Sequence, residues 1–249
     1  MEDRAGCRGF CTRCGRDHSL PSDPALEAAE KLTSALDAAG RIDIDVPRHQ
    51  ADPRCSTEYL FGPARGKIFG VLLGRGRSGE RIVLKAFSGQ YNGLWQVQGW
   101  AGPLFDLAAF HRVHDQEERM IKELGRRIEC SVGAERRELA ARRRARSQAL
   151  MAAIHALYRV RSFSGREAGL TDIFAEQGLG VPTGAGDCCA PRLLQQAMAL
   201  GVRPLGLVEF YRGAANPSAS RIHGEFYPSC RTKCYPLLGF MLCGLEGER

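Results

Sequence analysis

The chain has 249 residues, of which 44% are hydrophobic and 25% are charged, and its formal net charge is +7. This composition is typical of an ordinary globular protein, and no apolar run approaches the ~18 residues that a membrane-spanning helix needs. The polar start, MEDRAGCRGF, does not resemble a secretory signal. The sequence therefore predicts a cytoplasmic protein with no membrane association, whose ten cysteines serve as metal ligands or packing residues rather than as disulfides.

The alternation of apolar and turn residues predicts an α+β (or α/β) fold with a β-hairpin, a further strand and packed helices. Residues 1-22 are predicted to form a Cys-rich, knuckle-like segment. Residues 23-249 are predicted to form a single α/β domain, with a long basic helical insertion at about 106-163 and a zinc-bearing C-terminal part.

The first segment carries Cys7-x3-Cys11-x2-Cys14-x3-His18. Cys11 and Cys14 have the spacing of half a zinc knuckle, and His18 is close enough in sequence to join them. These residues form a candidate second metal site, with Cys7 or the distant Cys55 as the fourth ligand. The alternative is an exposed, reactive tail.

Three local patterns predict the body of the fold. Apolar residues recur at helical spacing from Pro24 to Ala39, and Gly40 then suits a helix C-cap. The runs KIFGVLLG and RIVLKAFSG are rich in β-branched and aromatic residues and predict a hairpin. The segment QYNGLWQVQGWAGPLFD predicts an ordered loop packed by its aromatic side chains, although its tryptophan pair could instead form a surface on which bases stack.

A helical pattern extends from Asp106 to Val160 and is broken near residues 131–133. Between Glu135 and Arg161 there are eight arginines and two glutamates, which contribute +6 of the net charge. Arginines surround the first half of this helix, so that half should project onto solvent or phosphates. The nucleic-acid-binding candidates are Arg136, Arg137, Arg142, Arg143, Arg144 and Arg146. A solvated charged face is the alternative.

The richest cluster of candidate ligands extends from Pro182 to Cys234. Asp187 suits the N-cap of a following helix, which puts Cys188 and Cys189 at a helix N-terminus, where thiolates are favoured. We predict a zinc ion bound by Cys188 or Cys189 together with His223, Cys230 and Cys234. Buried free cysteines are the alternative. Beyond this cluster, Leu205–Tyr211 reads as a strand, Pro236 suits the start of a short last helix, and Cys243 reads as a core residue.

Five segments together resemble the amino-terminal region of long RluA-type pseudouridine synthases, over about residues 60–245. They are AFSGQYNG, GWAGPLFD, PTGAGDCCAPRLL, PLGLVEFYRG and HGEFYPSCRTKCYPLLGFML. Cys11-Thr-Arg-Cys14-Gly15 is similar to the start of stand-alone bacterial relatives. The resemblance implies a role in RNA modification, with RNA and a pseudouridine synthase as expected partners. It does not imply synthase activity, because nothing in the chain matches that catalytic domain.

The predicted order of elements also resembles the zinc-dependent cytidine-deaminase fold. Cys188 would match its first ligand, and Pro228-Ser229-Cys230-x3-Cys234 approximates its Pro-Cys-x-x-Cys. Ala190 stands where that family has its general acid/base glutamate. The catalytic candidates are therefore carboxylates from elsewhere in the chain: Asp187, Glu209 and Glu225.

Two functions follow from these observations. One is a zinc-binding, RNA-associated protein linked to RNA modification, with no chemistry of its own. The alternative is a zinc-dependent, deaminase-like hydrolase that acts on a nucleobase or nucleotide. The absence of a glutamate at Ala190 favours the first, and we expect the zinc site to be closed by four protein ligands.

Overall fold

The computed structural model describes residues 5–245, which form a mixed α+β fold, as the sequence predicts. Its strands are β1 (Ala5–Cys11), β2 (Arg16–Pro21), β3 (Lys67–Arg75), β4 (Arg81–Phe87), β5 (Arg159–Arg161), β6 (Glu167–Gly169), β7 (Arg203–Arg212) and β8 (Phe226–Tyr227). Its α-helices are α1 (Leu26–Ala39), α2 (Leu107–Glu129), α3 (Gly133–Ala156), α4 (Leu170–Ala175), α5 (Cys189–Leu200) and α6 (Tyr235–Leu242). None of the helices within the described range is long and apolar enough to cross a membrane.

The centre of the fold is a four-stranded antiparallel sheet in the order β4-β3-β7-β8. The predicted hairpin is confirmed as β3 and β4, and the predicted strand Leu205–Tyr211 is the middle of β7. Both central strands are buried on their two faces, which explains why β3 reads as a continuous apolar run rather than as an alternating one.

The two faces of the sheet carry separate hydrophobic cores. Phe69, Val71 and Phe210 face the predicted helix α1, which ends at Gly40 in the left-handed conformation. Residues from the other face, Leu72 among them, pack against α5, α6 and the β1–β2 hairpin. Gly70 permits the close approach of α5, because a Cβ there would lie 2.6 Å from the Cβ of Cys189.

The tryptophans of the predicted loop pack into the protein, which contradicts the alternative of a base-stacking surface. Trp100 is 4% exposed, and its Nε1 donates a hydrogen bond to the carbonyl of Ile42 at 2.8 Å. Trp95 packs edge-on against Phe105 and Phe110, with ring centroids 5.0 and 5.4 Å away. The loop is therefore ordered by its aromatic side chains.

The basic insertion forms an antiparallel pair of helices, α2 and α3, which we call the arginine hairpin. The predicted break is confirmed at residues 130–132. The two helices pack mainly on each other, through a narrow seam that includes Ile121, Leu124 and Leu139. Leu139 is the one buried residue between Gly133 and Ala149, so the first half of α3 projects into solvent.

The N-terminal Cys-rich segment forms the β1–β2 hairpin and packs against the last helix. Gly9 and Gly239 allow this contact, because a Cβ on Gly9 would lie 2.2 Å from the backbone nitrogen of Gly239. A Cβ on Gly6 would likewise lie 1.7 Å from the carbonyl oxygen of Leu207 in β7. The hairpin therefore covers one face of the sheet and brings the two ends of the chain together.

Candidate metal centres

Four side chains from the two ends of the chain converge on one point, which we call the terminal centre. Cys11 ends β1, Cys14 lies in the following turn, His18 lies in β2, and Cys243 caps α6. Their ligand atoms all lie within 4.8 Å of one another, so this group could hold a metal ion. Three sulfurs and one imidazole are a ligand set that zinc favours.

The turn between β1 and β2 places groups that stabilise a thiolate at Cys14. Gly15 adopts φ +69°, which lets the turn close with a 2.9 Å hydrogen bond from its N–H to the Cys11 carbonyl. Burial raises the pKa of the Cys14 thiol, but hydrogen bonds from His18 and from the Arg16 N–H outweigh burial and lower this pKa to about 7. His18 Nε2 lies 3.1 Å from Cys14 Sγ. The geometry therefore favours the deprotonated sulfur that binds metals.

Neither sequence candidate for the fourth ligand reaches the terminal centre. Cys7 faces the core beneath β7, where burial raises the pKa of its thiol. Cys55 is 1% exposed in the core on the α1 side of the sheet, where burial raises its pKa to about 12. Cys243, which the sequence suggested was only a core residue, contributes the third sulfur and completes the set of four ligand candidates. No local motif marks it, because its partners lie at the other end of the chain.

Three further cysteines form a second cluster, which we call the three-thiol centre. The side chains of Cys188, Cys230 and Cys234 lie near enough that each shifts the pKa of the others. These contacts lower the pKa of Cys230, and its sulfur also accepts the backbone N–H of Lys233. Cys234 Sγ accepts the N–H of Gly186. Backbone N–H groups directed at sulfur stabilise thiolates. Among the described residues, however, only the ligand atoms of the terminal centre lie close enough together to hold a metal ion, so zinc at the three-thiol centre stays a prediction.

The structure does not bring Cys189 or His223 to the three-thiol centre. The Cys189 sulfur points toward the sheet and donates to the carbonyls of Ile68 and Ala86, at 3.3 and 3.6 Å. His223 Nδ1 accepts the N–H of Gly213 at 3.1 Å, and its ring packs on Phe61. The sequence left open whether Cys188 or Cys189 belongs to this cluster, and the structure places Cys188 there.

The predicted N-cap role of Asp187 is wrong by one position, because Cys188 is the N-cap of α5. Asp187 Oδ1 instead accepts the hydroxyl of Tyr158 at 2.7 Å, and burial raises the pKa of its carboxyl. Glu225 is exposed, and its backbone carbonyl accepts the N–H of Tyr211 in a turn.

Glu209 is the predicted carboxylate that lies beside the three-thiol centre. It is 4% exposed on β7, and its Oε1 accepts the N–H of Ala190 at 2.9 Å. Burial raises the pKa of Glu209 to about 7, and the charge of Cys230 adds to this rise. A carboxyl group with such a pKa can exchange protons near neutral pH, or it can act as a metal ligand once ionised.

Helix α6 connects the two centres. Cys234 is its N-cap and Cys243 is its C-cap, so one eight-residue helix carries a ligand candidate of a different centre at each end. Residues Pro236 to Leu242 of this helix are all buried, which fixes its position against the sheet and the β1–β2 hairpin. The two centres are therefore joined by a short, buried helix.

The arginine candidates on α3 lie on the projecting half of the hairpin. Five of them are exposed and make no ion pair with any residue in the described range 5–245: Arg136, Arg137, Arg142, Arg143 and Arg144. Arg146 is half-buried and pairs with Glu117 of α2 at 2.7 Å. The positive charge of this surface is therefore largely uncompensated.

The protein has a mixed α+β fold with a candidate metal centre where the β1–β2 hairpin meets the end of α6. No family model, no curated protein and no solved structure matches this chain. Its function is therefore inferred from the residues and contacts described above.

Proposed function

We propose that this protein is a zinc-stabilised RNA-binding protein that assists RNA modification without catalysing it. The observation that carries the proposal is the arginine hairpin, whose five exposed and unpaired guanidinium groups project from the body of the fold. The resemblance of five sequence segments to the amino-terminal region of RluA-type pseudouridine synthases supports RNA as the polyanion, with such a synthase as the partner that performs the chemistry.

Guanidinium groups suit a phosphate backbone because each can donate two parallel hydrogen bonds to phosphate oxygens. A helix that was only solvated would be expected to intersperse charges of both signs, as α2 does with its pairs Lys122–Glu118 and Arg126–Glu123. In α3 the stretch from Ala140 to Ala145 contains three arginines and no acidic residue. Five phosphate contacts would give a salt dependence of about −3.5 in log K against log[salt] for single-stranded RNA.

Zinc has a structural role in this proposal. The terminal centre would join the β1–β2 hairpin to α6, and the three-thiol centre would join the N-terminus of α5 to the loop that precedes α6. Glu209 would close the three-thiol centre as its fourth ligand, in keeping with our expectation of a closed site. The free energy of binding each ion would then be part of the free energy of folding.

Changing Arg142, Arg143, Arg144 and Arg136 to Gln should weaken RNA binding and flatten its salt dependence. We expect the slope of log K against log[salt] to become less negative by about 3, because about four contacts at ~0.7 each are lost. The melting temperature should change little, because these side chains are exposed and unpaired. Fluorescence anisotropy with a labelled RNA at several salt concentrations measures the slope.

The matched control removes the same charge from another surface. Arg75, Arg77, Arg81 and Arg203 are exposed at one end of the central sheet, where Arg75 is the register partner of both Arg81 and Arg203. Changing these four to Gln should leave the slope within about 1 of the wild-type value. Equal losses in both variants would mean that net charge alone attracts RNA, and the hairpin would not be the binding surface.

Glu209 favours a second candidate function, a zinc-dependent deaminase-like hydrolase. In that reaction a water oxygen bonds to the ring carbon of a base, the exocyclic C–N bond breaks, and ammonia leaves. A bound zinc would supply activation of the water. Glu209 would hold the proton taken from water and deliver it to the leaving nitrogen, a role that its pKa of about 7 suits.

Nucleoside analysis separates the two functions. Wild-type protein and Glu209→Gln are incubated with RNA containing all four bases, and the digested nucleosides are quantified by mass spectrometry. The accessory function predicts no change in any nucleoside with either protein. The hydrolase predicts a deaminated product that falls at least 10²-fold in the Gln variant, while the variant keeps its metal.

A further inference from the structure

We propose that the buried guanidinium of Arg192 forms the end of a binding site for a small oxyanion-bearing molecule, a carboxylate or a phosphate ester. The site lies on α5, outside the arginine hairpin and outside both cysteine clusters. It does not depend on the proposed RNA binding.

Arg192 presents an unused pair of hydrogen-bond donors. Its side chain is 0% exposed, and its Nη1 donates to the carbonyl of Phe87 at 3.2 Å. Nε and Nη2, which form the side edge of the guanidinium, have no hydrogen-bond partner among the described residues. This edge, which we call the fork, has the geometry that binds a carboxylate or phosphate through two parallel hydrogen bonds.

Neighbouring groups hold the fork in place without occupying it. Phe87 and Trp95 lie over the guanidinium, with their ring centroids 5.8 and 5.5 Å from its central carbon. Asp187 reaches only one corner, with Oδ1 at 4.0 Å from Nη2, and that oxygen already accepts the hydroxyl of Tyr158. Two aromatic rings and a backbone carbonyl therefore fix the orientation of the Arg192 guanidinium. Asp187 balances its positive charge only in part.

A third unpaired donor belongs to a side chain that packs against Arg192. Trp95 Nε1 is buried and has no partner among the described residues. Buried donors are rarely left unpaired, because each costs about 1–3 kcal/mol of desolvation without a hydrogen bond in return. Three such donors on two touching side chains indicate that an acceptor belongs between them.

Arg192 forms part of the wall of a cavity of about 370 Å³. This volume lies within the range of small-molecule sites. The cavity is also lined by apolar residues, by three amide side chains and by one carboxylate, whose Oδ1 accepts the N–H of Ala109: Pro103, Phe105 and Leu107; Gln96, Gln195 and Gln196; and Asp106. A ligand that fits has an oxyanion at the fork, an apolar or aromatic body against Phe105, and polar groups that meet the glutamines.

Binding can be followed through Trp95 itself. The chain has two tryptophans, and Trp100→Phe leaves Trp95 as the single reporter. In this background we expect benzoate or inorganic phosphate to change Trp95 fluorescence in a saturable way and to raise the melting temperature. Benzamide, which has the shape of benzoate but no charge, should do neither. A response to benzoate alone assigns a carboxylate ligand, and a response to phosphate alone assigns a phosphate ester.

Two variants test the location of the site. Arg192→Lys keeps the charge but removes the fork, and should weaken binding of the responding anion at least 10-fold. Gln196→Phe should narrow the cavity without changing Arg192 and without adding a second tryptophan, and so it tests the site even if the Lys variant does not fold. Arg203→Lys, at the start of β7 and outside the residues that line the cavity, is the control and should bind as the parent does. The proposal is overturned if neither anion binds, or if Gln196→Phe binds the anion as tightly as the parent.

Discussion

Replacing Cys230 by Ser is expected to release one zinc ion per chain and to lower the melting temperature by about 10 °C. Cys230 is the central thiol of the three-thiol centre, because Cys188, Cys234 and the Lys233 N–H all lower the pKa of its thiol. Loss of a structural metal belongs to the most destabilising class of changes, at ~4 kcal/mol or more, and each kcal/mol shifts the melting temperature of a chain of this size by about 2–4 °C. Metal analysis and thermal melting of the purified variant measure both effects.

Two control variants make this test specific. Cys130→Ser changes an exposed cysteine that ends α2 outside both centres, and it should keep all of the zinc. His223→Gln should also keep the zinc, because His223 bonds to Gly213 and not to the thiols. Zinc loss from His223→Gln would support the ligand set predicted from sequence, in which His223 binds the metal. Full zinc retention in Cys230→Ser would show that the three thiols bind no metal.

Replacing Cys243 by Ser is expected to release a different zinc ion and to loosen the β1–β2 hairpin. Cys243 is the one ligand candidate of the terminal centre that comes from α6, so its loss separates the two ends of the chain. Limited proteolysis should then cut within residues 5–21 at least 10-fold faster than in the wild-type protein, because the hairpin opens more often.

The matched control for this variant is Cys55→Ser, which changes the distant ligand suggested by sequence. This substitution will destabilise the α1 core, but the zinc content should not change. If Cys55→Ser loses zinc and Cys243→Ser does not, the assignment of the fourth ligand is wrong. Because α6 carries Cys234 at its other end, Cys243→Ser should also weaken zinc binding at the three-thiol centre.

The elements with strong local patterns could be predicted from sequence. Helix α1, the β3–β4 hairpin and the break in the arginine hairpin follow from periodicity and turn residues, which act over a few positions. The N-terminal segment illustrates the limit of such patterns. Its Cys-x-x-Cys spacing predicted a knuckle but not a strand pair packed on the last helix, because the packing depends on the contact between Gly9 and Gly239 across the whole chain.

The candidate site was predictable in ligand type but only partly in ligand identity. Cys188, Cys230 and Cys234 meet because they lie at the starts of two helices that pack on the same face of the sheet. His223 lies close to Cys230 in sequence, yet the turn before β8 directs it to Gly213. Asp187 was the natural N-cap by residue type, but the hydroxyl of Tyr158 takes its carboxylate. Tertiary contacts of this kind cannot be predicted from the spacing of residues in the sequence.

Glu209 shows where sequence reasoning named a residue but not its surroundings. The sequence named it only as a candidate carboxylate, and the structure places this carboxylate against the N-terminus of α5. Ala190 occupies the position of the expected glutamate, and it is the N–H of Ala190 that Glu209 accepts. Whether this carboxylate closes a structural centre or moves a proton is decided by the nucleoside analysis described above.

Metal analysis of the wild-type protein tests most directly the claim that zinc holds this fold together. Protein purified without chelators should contain two zinc ions per chain, one for the terminal centre and one for the three-thiol centre. Cys243→Ser should lose mainly the ion of the terminal centre. Cys230→Ser should lose mainly the ion of the three-thiol centre. A wild-type protein that is fully folded with no stoichiometric zinc would contradict the account.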